Sequence, residues 1–224
     1  MRVGGWQKPR AAWSAHVAIA NLREAHHVRI ETVLIVVRHV VQNQLAGRAN
    51  ISTAAGGEIA HVPVAGAPAL KVGDAITAAI DWDKRYARMR MHTALHLLSA
   101  VLPYAVTGGS VGDSESRLDF DIPEAGLDKD AITAKVAEMI ASNAPVGSRW
   151  ITDAELDANP GLVKTMSVKP PTGTGRVRLI EISGLDLQPC GGTHVRATGE
   201  IGAVRVTQIE KKGKQNRRVR LALA

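Results

Sequence analysis

KRYARMRMHTALHLLSAVL, residues 84–102, is the stretch on which the fold turns. Met89, His92, Leu95, His96 and Leu98 recur at three- and four-residue spacings, the period of a helix with one apolar face. Pro103 stops the element. After it comes a turn-rich stretch, TGGSVGDSES (107–116), then an expected strand, RLDFDI (117–122). A second amphipathic helix is expected over 128–143, capped by Asp128 or Asp130 and ended by Asn143-Ala-Pro145. A strand at 148–152, a short helix at 153–158 and a strand near 163–168 follow. The loop KPPTGTG (169–175) precedes RVRLIEI (176–182), a further strand. AVRVTQIE (203–210) and RRVRLAL (217–223), joined by KKGKQN, read as a hairpin with a basic tip. Upstream of the helix, EIAHVPV (58–64) and AITAAIDW (75–82) read as short strands. Helices and strands mix without a βαβ rhythm, so the expected class is α+β. The expected division is a β-rich region over 1–83 and a second domain over 84–224.

The chain has 224 residues, 45% of them apolar, enough to close a core. Only 3% are aromatic, so that core must rest on Val, Ile, Leu and Ala. One cysteine excludes an internal disulfide and suits a reducing compartment. The longest apolar run, Val33 to Val37, is far short of the ~20 residues that span a bilayer. The start, MRVGGWQKPR, carries no apolar h-region, so the expected location is the cytoplasm and no membrane is expected as partner. The net charge of +7 is uneven. Residues 1–50 carry a net +5 and residues 204–224 a net +6, which leaves about −4 for the stretch between. Two basic ends around an acidic body suggest a polyanion partner, or simply a solvated surface.

The chemistry concentrates in two four-residue spacings. His92 and His96 in HTALH fall on one helix face, one turn apart, where they can chelate one ion. Zinc proteases need Glu after the first His, and Thr93 stands there instead, which argues against peptide cleavage. About a hundred residues later, Cys190-Gly-Gly-Thr-His194 again spaces two ligand types by four. Gly191 and Gly192 let the backbone turn tightly, and Pro189 stiffens the approach. Either pair alone has a bland reading: a chance surface pair, or a small buried cysteine. Together, a thiolate and three imidazoles make a good zinc set.

HTALHLLSAVL, PCGGTHV, TGEIGAV and EKKGKQNRRVRL together closely resemble the editing domain of alanyl-tRNA synthetase. The resemblance covers roughly residues 57–224, and the chain holds no ATP-binding aminoacylation motif, so it resembles the free-standing AlaX family. It implies an alanyl/threonyl-tRNA synthetase editing-domain-like fold preceded by a small β-barrel. It implies Zn2+ held by His92, His96, Cys190 and His194, which are also the catalytic centre. The implied reaction is ATP-independent hydrolysis of the ester in tRNA(Ala) mischarged with serine or glycine. The family's glycine-rich GGGQP-like motif is missing, and Gly4-Gly5-Trp6-Gln7 is no stand-in. Residues 1–50 are arginine- and histidine-rich and unlike barrel strands, so the expected barrel is partial or atypical.

Four side chains would fill a tetrahedral zinc, whereas a catalytic zinc keeps one position open. Cys190 and the histidine pair are the firm ligands in this reading. His194 is either a fourth ligand or a neutral imidazole bonded to a backbone carbonyl. Selection of serine over alanine needs a polar group, and Thr107 with Gly108 and Gly109 after the helix is the candidate, or else an ordinary turn. Lys211, Lys212, Lys214, Arg217, Arg218 and Arg220 form a candidate tRNA-contacting patch, with a protected edge strand as the alternative. The competing functional class is a non-catalytic structural-zinc module that binds RNA.

Overall fold

The computed structural model describes residues 81–123, 126–166 and 175–224, together with the backbone of three earlier strands. The chain divides into two compact units, Met1–Arg85 and Tyr86–Ala224. In the first, β1 (Arg38–Val41), β2 (Gln44–Thr53) and β3 (Ile59–Pro63) form an antiparallel sheet in the order β1-β2-β3. Among the described residues no sheet closes into a barrel. The expectations for residues 1–37 lie outside the described residues, as does the strand expected over 75–82 up to Trp82. Trp82 instead opens a helix.

That helix, α1 (Trp82–Val101), is the one expected over 84–102. From Met91 to Ser99 it is buried almost all round except at His92. A helix apolar or satisfied on every side belongs in a core. Met91, Leu97 and Leu98 have no exposed surface, each contributing roughly 1.5–3 kcal/mol by burial. The helix ends where Pro103 removes the next donor.

β4 (Val106–Ser110), β5 (Glu115–Asp121), β9 (Val204–Lys211) and β10 (Asn216–Leu223) make one antiparallel sheet, ordered β4-β5-β10-β9. β6 (Val146–Ile151), β7 (Val177–Ile182) and β8 (Asp186–Pro189) make a second antiparallel sheet, ordered β6-β7-β8. α2 (Lys129–Ala141) packs on β9 through Ile132, Val136 and Ile140, four residues apart. Asp128 caps α2 by accepting from the amides of Asp130 and Ala131. Thr198, buried in a single 3-10 turn, donates to the Met139 carbonyl and accepts from the Ala144 amide, which closes the helix's other end. α3 (Asp153–Asp157) begins with a capping box between Thr152 and Glu155.

The mixed α+β class and the two antiparallel sheets agree with an editing-domain fold. Two local expectations are corrected. Residues 106–110 form a strand rather than a turn, and Gly109 serves the sheet. A Cβ on Gly109 would lie 2.9 Å from Leu118 Cδ2 on β5. The strand expected near 163–168 is reduced to one parallel bridge between Thr165 and Val106. Residues 167–174, including most of the expected KPPTGTG loop, lie outside the described residues.

Candidate metal centre

The two four-residue motifs meet. One ligand atom each from His92, His96, Cys190 and His194 lies within 4.8 Å of the others. Cys190 Sγ is 3.5 Å from His92 Nε2 and 3.4 Å from His194 Nε2. α1 supplies both histidines of its motif from adjacent turns. β8 ends at Pro189 and delivers Cys190, whose amide donates to the Arg178 carbonyl of β7 at 3.0 Å. Arg178 Nη1 donates to the carbonyls of Gly192 (2.7 Å) and Cys190 (3.3 Å), tying the ligand loop to the sheet. Gly192 lies so close to the His92 ring that any Cβ would overlap it, whereas Gly191 faces open space. Only the second glycine is required by close approach.

The outer nitrogens of His96 and His194 each have a partner. His96 Nδ1 donates to Asp186 Oδ2 at 2.9 Å, and both side chains are buried. Asp186 also accepts from Lys164 Nζ (2.6 Å) and Gln188 Nε2 (2.7 Å). Gln188 donates as well to Ser99 Oγ, whose proton goes to the His96 carbonyl. Thr93, fully buried, donates its proton to the Met89 carbonyl at 2.9 Å. Its oxygen can therefore only accept from His194 Nδ1 at 3.1 Å, so Nδ1 carries the hydrogen. In both rings the Nε2 lone pair is left facing the cluster.

The charge states of Cys190 and His194 suit a cation. Burial alone would push the Cys190 thiol up, but the imidazoles of His194, His92 and His96 set against the sulfur outweigh it and bring it down to about 3. Burial lowers His194 to about 3, and the neighbouring histidines add to that effect. Cys190 is thus a thiolate and His194 a neutral imidazole at neutral pH. A tetrahedral zinc with bonds of about 2.0–2.3 Å needs donors about 3.3–3.8 Å apart. The two sulfur–nitrogen separations fall in that range. The residues present therefore fit a soft divalent metal.

Residues 177–220 match the family described as the Threonyl and Alanyl tRNA synthetase second additional domain. The alanyl-tRNA editing protein AlaX-M of Methanosarcina acetivorans is 37% identical over 176 residues, covering 75% of this chain and 72% of its own length. The chain belongs to the AlaX family. AlaX-M of Methanosarcina mazei is 36% identical over 171 residues, or 74% of this chain and 68% of its own. AlaX-M of Methanosarcina barkeri is 36% identical over 159 residues, or 69% and 65%.

The other expected AlaX site residues lie elsewhere. Thr107 is on β4, where its hydroxyl oxygen accepts from Asn216 Nδ2 at 2.7 Å. Gly108 and Gly109 face β5. Among the described residues no hydrogen bond joins any of the three to the four-residue cluster; Val106 meets the backbone of Lys164, whose ammonium pairs with Asp186. In the basic hairpin, Arg217 is buried on the inner face with Val219 and Leu221. Arg218 pairs with Asp119, Arg220 with Glu210 and Glu115, and Lys212 with Glu210. Lys211 and Lys214 are exposed, and no carboxylate among the described residues pairs with them. Sequence reasoning missed Thr93, Lys164, Asp186 and Gln188. One signal was there: Asp186, Gln188 and Cys190 alternate along a strand and so share one face.

Proposed function

We propose that this chain hydrolyses the ester of tRNA(Ala) mischarged with serine, and with glycine, at a zinc centre held by His92, His96, Cys190 and His194. The observation that carries the reading is the convergence of the four donors, with Nε2 of His96 and His194 presented by Asp186 and Thr93. Family membership supplies the substrate class. A bound zinc would act as a Lewis acid and lower the pKa of its water to about 7. The chain's own part is to hold that charge and to place the ester. Asp186 and Thr93 fix the two rings, and Arg178 holds the loop carbonyls away from the donors.

Thr107 is proposed to recognise the seryl hydroxyl. Its oxygen accepts from Asn216, which leaves its own proton available to donate. Discrimination by size alone is worth only about 1–3 kcal/mol, so a hydrogen-bonding site is needed to spare correctly charged tRNA. Glycine carries no hydroxyl, and its editing rests on the metal centre alone. Lys211 and Lys214 are proposed as phosphate contacts. Residues 84–224 form the hydrolytic domain in this reading, and 1–83 a β-rich region whose three-stranded sheet belongs to an atypical barrel. The setting is the cytoplasm, where a lone cysteine stays reduced. Among the described residues no helix is long and apolar enough to cross a membrane. An ester is already activated, so no ATP is required.

The deciding experiment is deacylation of Ser-tRNA(Ala) and Gly-tRNA(Ala) by purified protein, before and after chelation and after zinc is restored. Activity lost with the metal and recovered with zinc is expected. One tightly held zinc per chain with no deacylation would favour the structural-zinc RNA-binding module, which four protein donors could also build.

A further inference from the structure

Trp150 is the most exposed large apolar side chain among the described residues, at 60%. It lies on β6, the edge strand of its sheet, beside exposed Gly147, Ser148 and Arg149. Facing residues in an antiparallel sheet point to the same side, and successive residues alternate. Trp150 is opposite Arg178, whose carbonyl accepts from the Cys190 amide. Tryptophan, arginine and cysteine therefore form one row across the three strands. Further along β7, Ile180 faces Gln188 and Ile182 faces Asp186, on the same side as that row. Gln188 and Asp186 reach Ser99 and His96 on α1. The indole thus stands on the sheet face that carries the metal donors. Two strand spacings separate its backbone from that of Cys190, about 10 Å in all. Between them the Arg178 guanidinium is fixed on the Gly192 and Cys190 carbonyls.

We propose that Trp150 is a stacking platform for the terminal nucleobase of the tRNA 3′ end. This subsite rests on the aminoacyl-tRNA reading above. The ester lies on the ribose that bears this base, so a platform one nucleotide's reach from the donors is where the base must go. An indole among glycine, serine and arginine is not part of an apolar protein-docking patch. Its flat face, with a cation beside it, matches a base, whose π-surface stacks whatever its identity.

The test uses two unacylated RNA minihelices, one ending in CCA and one lacking the terminal adenosine. Each is titrated against the wild-type chain, Trp150→Ala and Trp150→Phe. Loss of the adenosine should weaken wild-type binding about ten-fold. Trp150→Ala should bind both RNAs alike, and Trp150→Phe should recover most of the difference. Zinc content and melting temperature of the alanine variant should match wild type. If Trp150→Ala discriminates as well as wild type, the proposal is overturned. A smaller sedimenting mass for that variant would overturn it too, because the indole would then join two copies of the chain. Neither RNA carries an amino acid, so the result is independent of hydrolysis. Intact discrimination without Ser-tRNA(Ala) deacylation sinks the enzymatic reading and keeps the subsite; the reverse pattern sinks the subsite alone.

Discussion

The His/Cys cluster and the basic hairpin were both visible as clusters of one residue chemistry, yet the fold treats them in opposite ways. In the His/Cys cluster, four side chains from two distant segments converge, and the outer nitrogens of His96 and His194 are held by Asp186 and Thr93. In the hairpin, six cations adjacent in sequence are dispersed. Arg217 turns inward, and Arg218, Arg220 and Lys212 are drawn into ion pairs. The difference is one of geometry. Spacing on a helix fixes where a side chain points, so an i,i+4 pair carries its own three-dimensional meaning. Charge along a strand does not, because the counter-charges come from strands far away in sequence, such as Asp119 and Glu115 on β5.

The sharpest break would come at the ligands. Cys190→Ala, and separately His92→Ala with His96→Ala, should reduce zinc binding at least a hundred-fold, measured as metal per chain after dialysis against a competing chelator. Full occupancy in either variant would mean that the convergence holds no metal.

One step outward the effect should shrink. Asp186→Asn and Thr93→Val each leave four donors but loosen a ring, and should cost about 10–100-fold in metal affinity. Cobalt substitution offers an optical readout of the same change. Thr93→Ser keeps the accepting oxygen and should restore affinity. Unchanged affinity in Thr93→Val would show that His194 needs no orienting partner.

Much of this was legible in residues 84–102 and 189–194. The helix was readable because Leu95, Leu98 and their neighbours keep a helical period, and the CGGTH loop because its residue types admit few structures. β4 was not readable. Gly108 and Gly109 look like turn residues, and only the bulk of Leu118 on the next strand explains Gly109. Lys164 and Asp186 were missed because their pairing joins a bridge region to a strand, with no local pattern to announce it.

The hairpin's ion pairs give a third, smaller test. Hydrogen bonds from Arg218, and then Arg117, hold the Asp119 carboxyl below its ordinary range despite partial burial. A carboxyl lowered by folding stabilises the native state fully above its unfolded value, roughly pH 4, and loses that contribution as pH falls through the folded value. Asp119→Asn should therefore cost about 1–2 kcal/mol at neutral pH in denaturant unfolding. It should also flatten the loss of stability below pH 4. Equal slopes for variant and wild type would mean that the Arg218 pair is solvent-screened and contributes nothing.

The smallest effect expected is at the hairpin tip, and it separates cations held by the fold from cations left for a partner. Arg217 and Arg218 are poor probes of RNA binding, because one is buried and the other is bound to Asp119. Their replacement would unsettle the sheet before it altered any interface. Lys211 and Lys214 flank Gly213, whose φ of 118° makes the tight turn, and both extend into solvent. Lys211→Ala with Lys214→Ala should leave melting temperature and zinc content unchanged while weakening tRNA binding a few-fold. Each phosphate contact removed should lower the salt dependence of affinity by about one unit of slope, so the double variant should lose about two. At high salt the two proteins should converge. If slope and affinity stay at wild-type values, the tip is not on the tRNA path, and phosphate contact must come from cations on another face.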